Sequence, residues 1–267
     1  MSDAILARLL DAINSGEQVA LLTVVRADGQ YASTAGAHCI LWQTPSGKTA
    51  GDLGLGGLTG EVIADGIQSL DTRQHGILNY KTEVGSAQVF VEVQKQPPRL
   101  IIVGAGHIAL PLAEMASICE FHVTVMDDRR QYANVERFPN ANNVIAGPLT
   151  DELRKIRENG PGYDRDTYVV LVTRGHQYDM ESLLELIHDP LAYIGMIGSQ
   201  RRTRAVFQLL ETEKVIPPER FEHVYAPIGL DIGAHSPAEI AVCIMAEIID
   251  VMRGGSAVSL SQQLRDH

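Results

Sequence analysis

The chain has 267 residues, 45% of them hydrophobic and 21% charged, with 33 acidic against 22 basic residues and a formal net charge of −11. That length suits one large or two modest domains. The acidic balance excludes a protein that grips nucleic-acid phosphates through a basic face. No apolar run reaches the roughly 18 residues of a membrane span. Asp3 and Asp11 are foreign to a signal peptide, so a cytoplasmic setting is expected.

Ala4–Ile13 is an amphipathic helix, with Ile5, Leu6, Leu9, Leu10 and Ile13 on one stripe and Asn14-Ser15-Gly16 as its stop. Val19–Arg26 is a strand followed by the turn signal Asp28-Gly29, and Ala37–Trp42 is the return strand. Pro45-Ser46-Gly47 marks another turn. Gly51–Gly60 holds five glycines in ten residues, which excludes a regular strand or helix. Two roles stay open for it: a wide turn before the helix Glu61–Leu70, or a backbone cradle for an anion. Ala87–Val93 is a further strand. The segment Gln94-Lys95-Gln96-Pro97-Pro98 then resists both helix and central strand, and marks a boundary. The expected domains are therefore a small α/β unit at 1–94 and a larger one at 99–253, with a tail at 254–267.

The larger domain opens with an ordered unit. Leu100–Val103 is a short buried strand, Gly104-Ala105-Gly106-His107-Ile108-Ala109 a turn, Leu110–Ile118 a helix, and Phe121–Met126 a second strand ending on Asp127-Asp128. This is a β-α-β unit carrying G-x-G-x-x-A with an acid about 20 residues on, a dinucleotide-binding pattern. Gly104 permits the tight turn and Gly106 lets the backbone approach a pyrophosphate. The helix N-terminus offers free N–H groups and a positive dipole end. Two readings of the ribose stay open: Asp127 is placed to accept from the hydroxyl of an unphosphorylated ribose, whereas Arg129 and Arg130 are placed to take a 2′-phosphate.

The alternation continues with strands at Asn143–Ile145, Thr167–Val172, Ala192–Ile197 and His223–Tyr225. The helices fall at Thr150–Glu158, Tyr178–His188, Ser199–Lys214 and Pro237–Met252. Ser199 is a candidate N-cap. Ser236-Pro237-Ala238-Glu239 is a capping box with proline at the first helical position, and Gly254-Gly255 ends the helix. The fold class is α/β: a Rossmann-type doubly wound parallel sheet with a smaller N-terminal α/β domain.

In such sheets ligands lie beyond the carboxyl ends of the strands, at the switch in strand order. That rule gathers Gly104–His107, Asp127, Thr173-Arg174-Gly175-His176 with Asp179, Gly198-Ser199 with Arg201 and Arg202, and Gly229, Asp231 and Gly233. With strand order 3-2-1-4-5-6, His107 and His176 flank one crevice. His176, Asp179 and His107 are the candidate acid–base residues, with Asp179 either orienting His176 or favouring a helix dipole. Arg201, Arg202 and Arg204 form either a solvated face or an anion clamp. The three cysteines, Cys39, Cys119 and Cys243, are expected in the core. No two His or Cys stand at metal-ligand spacing.

These segments resemble the XdhC/CoxI family of accessory proteins for xanthine dehydrogenase and related molybdenum hydroxylases. The resemblance rests on Val103-Gly104-Ala105-Gly106-His107, Asp127-Asp128-Arg129, Thr173-Arg174-Gly175-His176-x-x-Asp179 and Tyr193–Ser199. It continues through Ala226–Gly233 and Pro237–Ala241. It implies a cytosolic factor that binds the molybdenum cofactor (molybdopterin) as cargo, with Gly104, Gly106, His107, Asp127, Arg129, Arg174, Gly198 and Ser199 as the residues expected to hold it; a homodimer is the default expectation for the assembly. The resemblance also implies support for sulfuration of that cofactor with a cysteine desulfurase, and delivery to a xanthine dehydrogenase-like client. In the N-terminal domain the family often carries Gly-Gly-Gly-Cys-Leu-Glu, and here Gly56 and Gly57 occupy that loop, with Gly57 aligned to the Cys and Thr59 to the Glu. Two rival readings stand beside the factor: an NAD(P)-dependent oxidoreductase with His107 or His176 as acid–base, and a nucleotide-responsive binding protein without catalysis.

Overall fold

A computed structural model describes residues 3–44, 47–94, 96–213 and 216–263. Pro45 and Ser46 of the expected turn, Lys95 of the boundary segment, Lys214 and the last four residues of the tail lie outside the described residues. The chain divides into two compact units, Met1–Gln96 and Pro97–His267, parted at the paired prolines.

The first unit runs α1 (Asp3–Asn14), β1 (Val19–Ala27), β2 (His38–Trp42), β3 (Thr49–Gly51), α2 (Thr59–Thr72), β4 (Gly76–Thr82) and β5 (Gly85–Gln94). Its sheet has the order β3-β2-β1-β5-β4, and every pairing is antiparallel. The two-residue period of β1 divides its side chains between two cores. Ala20, Leu22 and Val24 join Val62 and Leu70 of α2, while Val19 and Leu21 join Leu9 and Ala12 of α1. Two strands were not expected from the sequence. β3 has only three residues, and β4 is an edge strand of which only Tyr80 is buried. Neither offers the apolar run that marks a central strand.

The second unit runs β6 (Arg99–Val103), α3 (Ala109–Ile118), β7 (His122–Asp127), β8 (Asn143–Ala146), α4 (Leu149–Asn159) and β9 (Thr167–Leu171). It continues with α5 (His176–Leu186), β10 (Tyr193–Met196), α6 (Gln200–Glu213), β11 (Val224–Tyr225), α7 (Pro237–Arg253) and α8 (Leu260–Gln263). The six strands are parallel in the order β8-β7-β6-β9-β10-β11, the expected doubly wound arrangement. Leu100 and Ile102 face a core containing α3 and α7, whereas Ile101 and Val103 face one containing α4, α5 and α6. Four aromatic rings cross the first of these cores: Phe121, Tyr168, Tyr193 and Tyr225. The capping box of α7 is present, and Gly254 ends it with left-handed backbone (φ 64°).

Cys39 and Cys243 are buried as expected, but Cys119 is exposed. It sits at the C-cap of α3 beside Ile118, which is itself 76% exposed, so the helix has already turned out to solvent. No described helix is long and apolar enough to cross a membrane.

Candidate functional site

The switch in strand order falls between β6 and β9, which pair in parallel from Arg99↔Thr167 to Val103↔Leu171. Their carboxyl ends lead into Gly104–His107 and Thr173–His176. The strand-order rule thus brings these two turns side by side.

Gly104 has a φ of 107°, and a Cβ there would lie 2.5 Å from the Val172 carbonyl oxygen. Only glycine lets β6 turn this close to β9. Gly106 differs: nothing lies within 4 Å of its notional Cβ. The protein itself therefore makes no use of the missing side chain, and the free space lies where the motif predicts a ligand. Helix α3 begins with no side-chain cap hydrogen bond at Ile108, so its first N–H groups stay available to an anion.

A network of charged side chains fastens this turn. The Ala105 N–H donates to Asp127 Oδ2 (2.8 Å). Arg129 donates through Nε to Asp127 Oδ1 (2.8 Å) and through Nη2 to Oδ2 (2.9 Å). Burial raises the Asp127 carboxyl, but the hydrogen bonds from Arg129 and the Ala105 amide prevail and hold it at about 2. The Arg129 guanidinium lies 3.9 Å from the Tyr132 ring centroid, with Arg137 on the same ring at 4.9 Å. Arg137 in turn donates to the Ala105 carbonyl oxygen (3.0 Å). Both backbone groups of Ala105 are thereby held by side chains from the end of β7 and beyond it. The motif assigns Asp127 to a ribose and Arg129 to a phosphate. In the folded chain each first satisfies the other. Arg137, absent from that assignment, stands far from the motif and has no local pattern to mark it.

On the neighbouring turn, the buried Asp179 accepts from the Thr173 hydroxyl (2.6 Å) and the Thr173 N–H (3.2 Å). Burial pushes its carboxyl upward, against those bonds and the charges of His176 and Arg202. Asp179 thus closes the turn after β9, and among the described residues no hydrogen bond joins it to His176. His176 is the first residue of α5, two residues earlier than the helix expected from sequence. Both His107 and His176 are exposed. Arg174 pairs with Asp128 (2.8 Å) and takes a further bond with the Tyr178 hydroxyl. This ion pair links the segments after β7 and β9, on either side of β6.

Further along the edge, Ser199 caps α6, its hydroxyl accepting from the Arg202 N–H (3.3 Å). Arg201, Arg202 and Arg204 are exposed, and none forms an ion pair among the described residues. Gly229 (φ 94°) packs against Cys243 of α7 and donates its N–H to Glu247 (2.9 Å), so its role is to seat that helix.

The glycine loop of the first unit is organised differently. Leu53, Leu55 and Leu58 are buried, pinning the segment to the core under α2. Gly56 has a φ of 56°, whereas Gly57 and Gly60 have neither left-handed backbone nor any atom within 4 Å of a notional Cβ. Cys39 lies in β2 with its thiol raised by burial.

Residues 100–248, more than half of the chain, match the family described as the XdhC Rossmann domain, and residues 12–81 match the XdhC and CoxI family. The chain belongs to the XdhC and CoxI family. It is 31% identical over 216 residues to the uncharacterized protein YqeB of Escherichia coli, covering 77% of this chain and 39% of that protein. It is 35% identical over 168 residues to a probable xanthine dehydrogenase subunit of Bacillus subtilis, covering 63% of this chain and 47% of that one. The chain thus spans less than half the length of these relatives. A crystal structure of a xanthine dehydrogenase from Bacillus halodurans shares the fold, with a TM-score of 0.52 and 22% identity over 97% of this chain and 98% of that one.

Proposed function

We propose that this XdhC-family chain is an accessory factor for a xanthine dehydrogenase-type molybdenum hydroxylase, and that it holds the molybdenum cofactor as cargo while that cofactor is sulfurated and passed to the client. A cysteine desulfurase is the proposed sulfur source. The observation that carries this reading is the turn Gly104–His107 in the family-matched domain. It is braced at Ala105 by Asp127 and Arg137, open at Gly106, and followed by an uncapped helix start. Such a turn suits a phosphate-bearing ligand. His107 and His176, exposed at the two turns, are the side chains proposed to donate to it. The described glycine loop of the first unit supplies no thiolate: Gly57 stands where the family often has Cys, and Cys39 is buried in β2. The reading therefore assigns the cargo's anionic end to the Gly104 turn and nothing to a cysteine of that loop.

Removing this protein from a host is expected to leave the client hydroxylase expressed and folded but short of active molybdenum centre. Adding the purified protein with cofactor and a sulfur source is expected to restore activity, and the Gly106→Val variant to restore far less. Mass spectrometry of ligands released from the native protein identifies the occupant directly. Turnover of a small substrate with NAD(P) at about 1 s⁻¹ or more, abolished by His176→Ala, would replace this reading with an oxidoreductase. Nucleotide binding without either activity would leave a nucleotide-responsive binding protein.

A further inference from the structure

A concave site lies at the amino edge of the parallel sheet, opposite the Gly104 turn. It is formed by the segments that lead into β9, β10 and β11, with a cavity of about 410 Å³. That volume is in the range of small-ligand sites. Its floor is apolar: Leu186, Ile187 and Ile194 are each at most 7% exposed. Its rim carries Arg165, from the turn before β9, with Arg220 and His223, from the short 3₁₀ helix Pro218–His223 before β11. All three are exposed, and none of these side chains has an ion-pair or hydrogen-bond partner among the described residues. The one acid in the lining, Asp189, is already held by Arg157 through Nε (3.0 Å) and Nη2 (2.7 Å). The end of α5 does not supply a competing negative group at Leu186, whose carbonyl accepts from the Asp189 N–H (2.9 Å). The uncompensated charge at this site is therefore positive, set over a greasy floor.

We propose that this cavity binds a small organic anion, a carboxylate or phosphate joined to an aromatic body, with Arg165 and Arg220 taking the anionic head and the apolar floor taking the ring. Guanidinium groups recognise such heads with charge-assisted hydrogen bonds. Concavity favours a small ligand over a protein surface, because protein interfaces are broad and comparatively flat. The site is separate from the Gly104 turn and does not rest on the function proposed above.

Calorimetric titration of the full chain with phenyl phosphate, inorganic phosphate and benzyl alcohol tests both halves of the site. The titrations are run in the wild type and in the Gly106→Val background, so that the glycine turn is counted separately. Phenyl phosphate is expected to bind saturably in both backgrounds, at least tenfold more tightly than either single-feature probe. Arg165→Ala and Arg220→Ala are each expected to weaken it by about tenfold, and Arg220→Lys by less. No saturable binding in the Gly106→Val background, or binding there that the Arg165→Ala/Arg220→Ala double variant leaves unchanged, overturns the proposal. A failure of the glycine-turn reading would show only in the comparison of the two backgrounds.

Discussion

Two glycine-rich segments in this chain use the same two kinds of glycine in different surroundings. Gly104–Gly106 has two glycines in three residues, and each has its own duty: one admits a backbone contact and one leaves a space. Gly51–Gly60 has more than twice as many, and buried leucines also help to fix its shape. Leu53, Leu55 and Leu58 anchor the loop, and Gly54 (φ 68°) and Gly56 (φ 56°) carry the backbone between those anchors; Gly51 (φ 104°), ahead of them, lies with its notional Cβ 2.5 Å from the His38 carbonyl oxygen, as Gly104 does against Val172. Counting glycines therefore does not locate a ligand. What separates the two segments is their surroundings: 104–106 lies at the switch in strand order and is braced at Ala105 by Asp127 and Arg137, whereas 51–60 is pinned by apolar side chains.

Substitutions can separate these duties. The largest effect is expected from Gly104→Ala, which combines left-handed backbone with a Cβ 2.5 Å from the Val172 carbonyl. It should cost about 3 kcal/mol or more of stability, read as a fall in the urea midpoint. An unchanged midpoint would mean that β6 and β9 can part at no cost.

Next comes Asp127→Asn, which unfastens the turn from the side. The folded carboxyl lies at about 2, below its ordinary 3.8. Its stabilisation is therefore complete above about pH 4 and is lost as pH falls toward 2. A depression of this size corresponds to about 2 kcal/mol. Wild type and variant should differ by that amount at neutral pH and converge near pH 2. A difference that stays constant with pH would show that the ionised form contributes nothing.

Gly106→Val should change stability by less than about 0.5 kcal/mol in the ligand-free protein, as surface substitutions do, because nothing lies within 4 Å of the new atom. Its effect should appear in ligand affinity alone, measured by calorimetry with nucleotide or with isolated cofactor. Equal affinity in variant and wild type would make this turn purely structural. The smallest effect is expected from Gly57→Cys, again with nothing within 4 Å. The melting temperature should hold within about 1 °C. Greater retention of cofactor by this variant would return the N-terminal loop to the cargo site, and unchanged retention would keep the cargo at the Gly104 turn.

The arrangement of the second unit was legible because its central strands are buried on both faces. Such strands appear as unbroken apolar runs, as in Leu100–Val103 and Thr167–Val172, between helices with their own stop signals. The Pro97-Pro98 break and the α7 capping box were equally visible, since both are local effects of backbone chemistry. In the first unit β3 and β4 carry no such signal. An edge strand owes its existence to the neighbour that pairs with it, and its own residues need not be apolar.

The site divides along the same line. Sequence alone determined where the glycine turn lies, which acid follows it, and which turns meet at the carboxyl edge, because strand order and the β-α-β period dictate those positions. Only the tertiary structure decided what the charged residues do. Asp127 and Arg129 satisfy each other, Asp179 is held by Thr173, Arg174 pairs with Asp128, and Arg137 reaches back to Ala105 from 32 positions away. A buried or half-buried charge takes the partner that folding brings nearest, and that partner need not be a neighbour in sequence.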